Sequence, residues 1–400
     1  MRHVGIPPME KSETRKPWTV HSLNPPPGEE IAKRRVVKYV RDLAQIKELK
    51  EEEREQLDAV ARKYVFRANE YYLSLINWDD PNDPIRRLVV PQEGELEDWG
   101  ELDASSEKSY TVAPGCQHKY PRVALLLVNE VCGAFCRFCF RKRLFMKGND
   151  EVVNDMSPGI EYIRAHPQIT NVLLTGGDPL LLSTRKLERI IEQVAAIPHV
   201  GIIRIGTKMP AFNPFRILDD PSLLDMIHRY STPDRRLYMM LHFNHPRELT
   251  DEARAAIDQL IKAGAILCNQ TPLLKGINDD PEVLGELLRH LSFVGVPPYY
   301  VFQCRPTVGN KPFEVPLTQG FSIFEQARSR VGGLAKRGRY VMSHKTGKIE
   351  MIAMDDDLIY MRYHRALNPE DESKLMIFRR DDSAYWFDDL VAAREASGKK

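Results

Sequence analysis

Long apolar runs are missing from this 400-residue chain. The longest, such as Val123 to Val128, fall far short of the roughly 20 residues that cross a bilayer, and the first residues hold no apolar signal core. A membrane partner is therefore not expected, and the chain reads as a cytoplasmic protein. An excess of either charge is missing too. Lys and Arg total 57 against 56 Asp and Glu, so no global field advertises nucleic acid or an anionic surface as partner. Cysteines are too few for a secreted disulfide framework: Cys132, Cys136 and Cys139 crowd together, while Cys116, Cys268 and Cys304 are scattered. Repeats and low-complexity tracts are absent apart from a Pro-rich first 30 residues, which read as ill-ordered.

What is present divides the chain into three parts. Residues 30 to 76 read as helices, with Val37, Val40, Leu43 and Ile46 near helical spacing. The run WDDPNDPIRRLVVP and the acidic stretch Glu93 to Glu101 read as a connecting segment. An N-terminal helical region with its linker is expected over residues 1–110. From Val123 the pattern changes to short apolar runs alternating with amphipathic helices, the signature of a parallel sheet with helical crossovers. The expected strands are Val123 to Val128, Asn171 to Leu174, Gly201 to Ile205, Leu237 to Leu241, Ile266 to Cys268 and Tyr299 to Gln303. Helices Ser183 to Ile197 and Glu252 to Ala263 lie between them, the second capped by Thr250. The fold class is α/β, a partial (β/α)6 barrel over residues 111–316, open on one side for a bulky substrate. Residues 317–400 read as a small C-terminal extension with strands near Arg339 to Ser343, Lys348 to Met354 and Ile359 to Tyr363.

Polar residues follow each expected barrel strand, and in β/α barrels that end carries the chemistry. After the first strand comes CxxxCxxC, formed by Cys132, Cys136 and Cys139. Three thiolates can ligate three irons of a 4Fe-4S cluster and leave the fourth open. An open iron can chelate the amino and carboxylate groups of S-adenosylmethionine, so that one electron cleaves the sulfonium to a 5'-deoxyadenosyl radical. The competing reading is a zinc site, which needs a fourth ligand such as His118. After the second strand, Gly176, Gly177 and Asp178 let backbone approach a ligand closely. Beside the cysteine motif they read as a contact for the methionine amino group. Cys268 and Cys304, at strand ends, read as packing residues.

These residues belong to longer strings: DPNDPIRR, HKYP, CRFCFRKR, LTGGDPLL, RIGTKMP, HFNHPRELT, NQTPLLKGIND and PYYVFQC. Over roughly residues 65 to 305 the chain resembles the lysine 2,3-aminomutase family of radical S-adenosylmethionine enzymes. The resemblance implies a partial β/α barrel, a cluster and S-adenosylmethionine as cofactors, and an outside electron donor such as flavodoxin or ferredoxin. It implies that His242 and Gln270, with Thr207 and Asn244 nearby, contact S-adenosylmethionine, and that Arg141 binds the substrate carboxylate. The alternative for Arg141 is a solvated charge in the run Arg141-Lys142-Arg143.

The family also uses pyridoxal phosphate, held by a lysine after a glycine-rich stretch, and here the chain departs. That segment is shortened to Val331 through Arg337. Lys336 is either a displaced equivalent of the cofactor lysine or an ordinary charge in a basic turn. The family's phosphate-binding arginine precedes the first barrel strand; here Arg122 is offset by one and Val123 stands in register. Where lysine-specific members place an aspartate after the sixth strand, this chain has Arg305, which favours an anion over a cationic side chain. The first reading is an isomerase acting on a small carboxylate-bearing amino acid other than free lysine. The second is a pyridoxal-independent radical enzyme that abstracts hydrogen for dehydrogenation, epimerisation or bond cleavage. A noncatalytic cluster or zinc scaffold is the third. Nothing singles out a catalytic side chain, and a homo-oligomer is compatible with the composition.

Overall fold

The computed structural model describes residues 35–393, so the expectation for the first 30 residues lies outside the described residues. Helix α1 (Glu51–Lys63) has three glutamates in its first turn and Arg62 and Lys63 in its last, complementing the helix dipole, and it buries Leu57 and Val60. The described residues before it form no α-helix, only the single 3-10 turn Leu43–Gln45. Tyr39–Val40 pairs with Ala68–Asn69 as a short antiparallel ladder. The Asp42 and Gln45 side chains then take the backbone N–H groups of Ala44, Arg41 and Asp42. Such side-chain bonds satisfy the main chain in a turn and outcompete a helix there, although Val40, Leu43 and Ile46 are all buried.

Twelve strands form one sheet in strict chain order. They are β1 (Thr111–Ala113), β2 (Cys116–Tyr120), β3 (Val123–Asn129), β4 (Asn171–Gly176), β5 (Ile202–Thr207), β6 (Leu237–Leu241), β7 (Ile266–Leu273), β8 (Pro298–Gln303), β9 (Arg339–His344), β10 (Gly347–Met354), β11 (Leu358–Ala366) and β12 (Leu375–Arg379). Strands β3 to β9 are parallel, and the flanking pairs are antiparallel. The crossovers carry α2 (Ser157–Ala165), α3 (Thr184–Ala195), α4 (Pro221–Tyr230), α5 (Asp251–Lys262), α6 (Pro281–Phe293) and α7 (Leu317–Ser329). Ser183 caps α3, which buries Leu187, Ile190, Ile191 and Val194 at helical spacing. Thr250 caps α5 through Ala253 N.

Along the parallel strands side chains alternate. Ala124, Leu126, Val172, Leu174, Ile203 and Ile205 belong to the main hydrophobic core with the crossover helices, whereas Leu125, Leu173, Thr175, Arg204, Gly206 and Phe302 line an inner cavity. The sheet curls until side chains bridge its two flanks. Lys119 on β2 donates to His344 O on β9 at 2.6 Å, and Ser105 donates to Ser343 O. The result is the expected partial barrel, with one parallel strand more than expected.

That strand is β9, read from the sequence as part of an extension. It and β10 to β12 continue the barrel sheet across the boundary expected at 316/317. Likewise Leu43, Leu57, Tyr72 and Leu88 share a core with Ala134, Phe212 and Phe313, so the region before residue 110 packs on the barrel. All described residues fall in one compact unit.

Candidate active site

The cysteine loop leaves the C-terminal end of β3 and is strapped from outside by the N-terminal region. Asn69 Nδ2 donates to Gly133 O and Phe212 O at 3.0 and 2.9 Å. Arg67 Nε donates to Cys132 O, and its own carbonyl accepts Phe135 N. Between the second and third cysteines, Arg137 is 1 % exposed and forms a fork to Glu95, itself 0 % exposed, with Nη2 at 2.7 Å and Nε at 2.9 Å. Cys132, Cys136 and Cys139 all line the inner cavity of about 320 Å³. Burial pushes their thiols upward, Cys136 to about 12. As free thiols they keep their protons, and iron must displace those protons on binding.

Among the described residues no three His, Cys, Asp or Glu side chains converge on a single ion. His118 bonds Tyr162 on the barrel's outer side and is not in the cavity wall, so the zinc reading lacks its fourth ligand. Three thiols on one loop facing an open cavity fit a cluster with one free iron.

Gly176 and Gly177 lie against this loop. Gly176 has φ +105°, and a Cβ on Gly177 would stand 2.5 Å from Val131 O, so neither position admits a side chain without moving the loop. Asp178 N donates to Val131 O. Its carboxylate accepts from Thr207 Oγ1, Lys208 N and Leu180 N. Burial pushes Asp178 up to about 6 against those hydrogen bonds. Across the cavity, His242 Nε2 and Gln270 Nε2 are 2.8 Å apart. Burial, with Lys208 and Arg141 nearby, lowers His242 to about 3, so the ring is neutral and its Nε2 accepts the amide proton while Nδ1 keeps its own.

Gly176, Gly177, Asp178, Thr207, His242 and Gln270 therefore share the cavity wall with the cysteines. Asn244, expected among them, does not line the cavity. It is fully buried behind the wall, accepting from Lys208 Nζ and donating to Thr271 Oγ1. The direct contact expected of it is thus a positioning role for Lys208, whose Nζ also donates to His242 O and Glu248. Lys208 and Glu248 stand inside two quoted strings, RIGTKMP and HFNHPRELT, yet only the structure shows them paired.

Arg141, Lys142 and Arg143 are all buried, which removes the solvated-run reading. Arg141 donates to Thr175 Oγ1 and, through Nε, to Glu107 at 2.9 Å. Arg305 approaches the other Glu107 oxygen at 3.3 Å, stacking its guanidinium 3.7 Å from the Phe140 ring centroid. Arg143 reaches the same carboxylate at 3.2 Å. Burial opposes the charge on Glu107, but Arg141, Arg305 and Arg143 outweigh it and hold the acid well below the usual carboxylate range. Glu107 escaped notice because it precedes the barrel, a few residues after the acidic stretch, in no motif of its own.

Lys336 is placed elsewhere. It lies in the 3-10 turn Gly333–Arg337 that enters β9, at the N-terminal end of the parallel strands, opposite to the cysteines, and it does not line the cavity. The expectation of a displaced cofactor lysine at this position is not met, because the shortened segment ends before β9 crosses the barrel. Arg122 is exposed, with Val123 in the wall. The cavity lysines are instead Lys119, Lys208 and Lys348.

The family model described as the radical SAM superfamily matches residues 126–288, the span from the first parallel strand to the fifth helical crossover. Fold, cysteine loop and match define a radical S-adenosylmethionine enzyme, whose cofactors are a 4Fe-4S cluster and S-adenosylmethionine. The chain is 59% identical over 365 residues to an Aquifex aeolicus protein assigned provisionally as an L-lysine 2,3-aminomutase, covering 90% of this chain and 98% of that one. It is 40% identical to the L-lysine 2,3-aminomutase of Fusobacterium nucleatum (74% and 69% covered) and 37% identical to the glutamate 2,3-aminomutase of Clostridioides difficile (73% and 68% covered). The chain belongs to the lysine 2,3-aminomutase family and is an enzyme of the isomerase class. Among the described residues no helix is long and apolar enough to cross a membrane.

Proposed function

We propose that this enzyme performs a radical 2,3-amino shift on a small amino acid bearing a second acidic group, with glutamate as the simplest candidate. The observation that carries the reading is the convergence of Arg141 and Arg305 on one carboxylate inside the cavity. Glu107 demonstrates the chemistry those guanidiniums accept, and a substrate carboxylate would share or displace it. A lysine side chain would meet Arg305 with like charge. The relative named as a glutamate 2,3-aminomutase supports the same direction.

In this reading Cys132, Cys136 and Cys139 ligate the cluster, while the Gly176-Gly177 backbone, Asp178 and Thr207 receive the methionine portion of S-adenosylmethionine. His242 and Gln270 border its nucleoside. Cluster and S-adenosylmethionine together supply the 5'-deoxyadenosyl radical. Arg141 holds the substrate α-carboxylate, and Arg305 holds the distal anion. Lys208, fixed by Asn244 and Glu248, orients the wall under His242. An electron donor of the flavodoxin or ferredoxin kind feeds the cluster.

The test is anaerobic turnover of reconstituted protein with dithionite, S-adenosylmethionine and pyridoxal phosphate. Glutamate, aspartate and lysine deuterated at C3 are offered separately, and label is followed into 5'-deoxyadenosine and the β-amino acid. Glutamate is expected to transfer deuterium and lysine not; transfer from lysine alone overturns the reading. A second reading, the pyridoxal-independent radical enzyme, is favoured by the placement of Lys336 outside the cavity and Arg122 on the surface. Deuterium in 5'-deoxyadenosine with no β-amino acid formed would select it.

A further inference from the structure

Cys136 and Cys139 form a partition. On one side lies the inner cavity, and on the other a small pocket of about 20 Å³ whose lining includes Tyr64, Val65, Arg137, Lys142 and Phe145. The proposed amino shift draws only on the first of these spaces. Lys142 enters the second from the 3-10 turn Lys142–Phe145 that follows the cysteine loop. Its Nζ donates to Gly309 O at 2.8 Å and lies 4.7 Å from the Tyr64 ring centroid, within cation–π reach.

The charges behind the loop do not cancel. Glu95 is the acid that Arg137 and Lys142 share. The Arg137 fork engages both of its oxygens, and Lys142 Nζ is left at 3.6 Å. Two cations against one carboxylate leave a surplus positive charge in a dry site, where the side chains of Arg137, Lys142 and Glu95 are 2, 7 and 0 % exposed. The other cations that act on Cys136 and Cys139 have acids of their own: Lys208 is bonded to Glu248, and Arg141 to Glu107. A buried surplus charge is costly unless an opposite charge meets it. Thiolate ligation of a 4Fe-4S core supplies that charge, because the ligated cluster is net negative and becomes more so by one unit on reduction. A cation fixed beside it favours the reduced form.

We propose that Lys142 is the counter-charge of the cluster, held behind Cys139 by Gly309, Tyr64 and Glu95, and that it raises the reduction potential of the cluster. Arg137 acts through it. By occupying the oxygens of Glu95, the guanidinium lets that acid position Lys142 without neutralising it. The inference rests on ligation of the cluster by Cys132, Cys136 and Cys139, and it assigns the buried cation three residues beyond that motif a part in electron uptake.

The experiment reconstitutes the full chain anaerobically with iron and sulfide and titrates it with dithionite at pH 7 without S-adenosylmethionine, reading the reduced cluster by electron paramagnetic resonance. At that pH the amine, lowered by burial to about 8, carries its proton. Lys142→Gln keeps a donor for Gly309 O and removes the charge. It should make reduction at least about tenfold less favourable, a downward shift of about 59 mV for one electron. Lys142→Arg should restore the wild-type equilibrium to within a factor of about three. Glu95→Gln removes the negative charge and should move the potential the opposite way. A merely structural role would lower iron content in these variants without giving the two shifts opposite signs. An unchanged potential in Lys142→Gln, or shifts of one sign in both, overturns the inference. Should the Lys142→Gln chain hold no cluster, the direction of the Glu95→Gln shift decides alone. Wild type that binds no 4Fe-4S cluster overturns the ligation and this inference with it, whereas a loaded wild type whose potential ignores both charges overturns the inference only.

Discussion

Replacing Glu95 by leucine removes the carboxylate from a guanidinium buried inside the cysteine loop. Arg137 would keep only its bond from Nη1 to Val65 O. Stripping one partner from a buried ion pair costs about 3–5 kcal/mol, because the remaining charge stays desolvated. Arg137→Met should cost toward the lower end, since Glu95 would still have Lys142 Nζ at 3.6 Å and accept Gln92 N at 3.0 Å. The double variant removes both charges and leaves apolar side chains in a dry site. Lys142 then loses its acid, but burial already lowers it to about 8 and its bond to Gly309 O persists. The double variant is expected to lie nearer wild type than either single, with a coupling energy of about 3 kcal/mol or more. Urea unfolding of the cluster-free chain measures the cycle, and iron content after reconstitution reports the loop. Additive losses within about 0.5 kcal/mol would refute the claim that the pair acts as one unit.

Three other expectations follow from the same geometry. Gly177→Ala drives a Cβ into Val131 backbone and should cost about 2 kcal/mol or more while lowering iron content; a full cluster at wild-type stability contradicts the close approach. Glu107 binds its proton less readily folded than unfolded, so its contribution is complete above the unfolded value of about 4.3 and is lost as pH falls below it. The stability difference between wild type and Glu107→Gln should therefore shrink below about pH 4 by up to ~1.4 kcal/mol per pH unit, read from urea midpoints, and a pH-independent difference argues against it. Arg305→Asp should shift hydrogen abstraction from glutamate toward lysine, seen as deuterium in 5'-deoxyadenosine; unchanged preference would remove Arg305 from substrate choice.

Local pattern made much of this molecule legible. Short apolar runs and helical spacing located the first six parallel strands and the capped helices, because a strand covered on both faces is apolar throughout and a helix buried on one face repeats at its own period. Helix was expected near Val37 to Ile46 because turn and ladder can bury residues at the same intervals. CxxxCxxC announced the cluster because its ligands lie on one short loop.

The sequence alone thus determined the barrel units, the cysteine loop, the family and the charge change at Arg305, all written in contiguous strings or fixed intervals. Tertiary structure alone brought Glu107 to Arg305, 198 positions away, and drew Asn244 behind the wall to hold Lys208. It also joined β9 to the barrel, which sent Lys336 to one end of the strands and Lys348 into the cavity. Such choices depend on how far a curled sheet carries each side chain, and on which charges burial forces together. Neither quantity is set by residues adjacent in the chain.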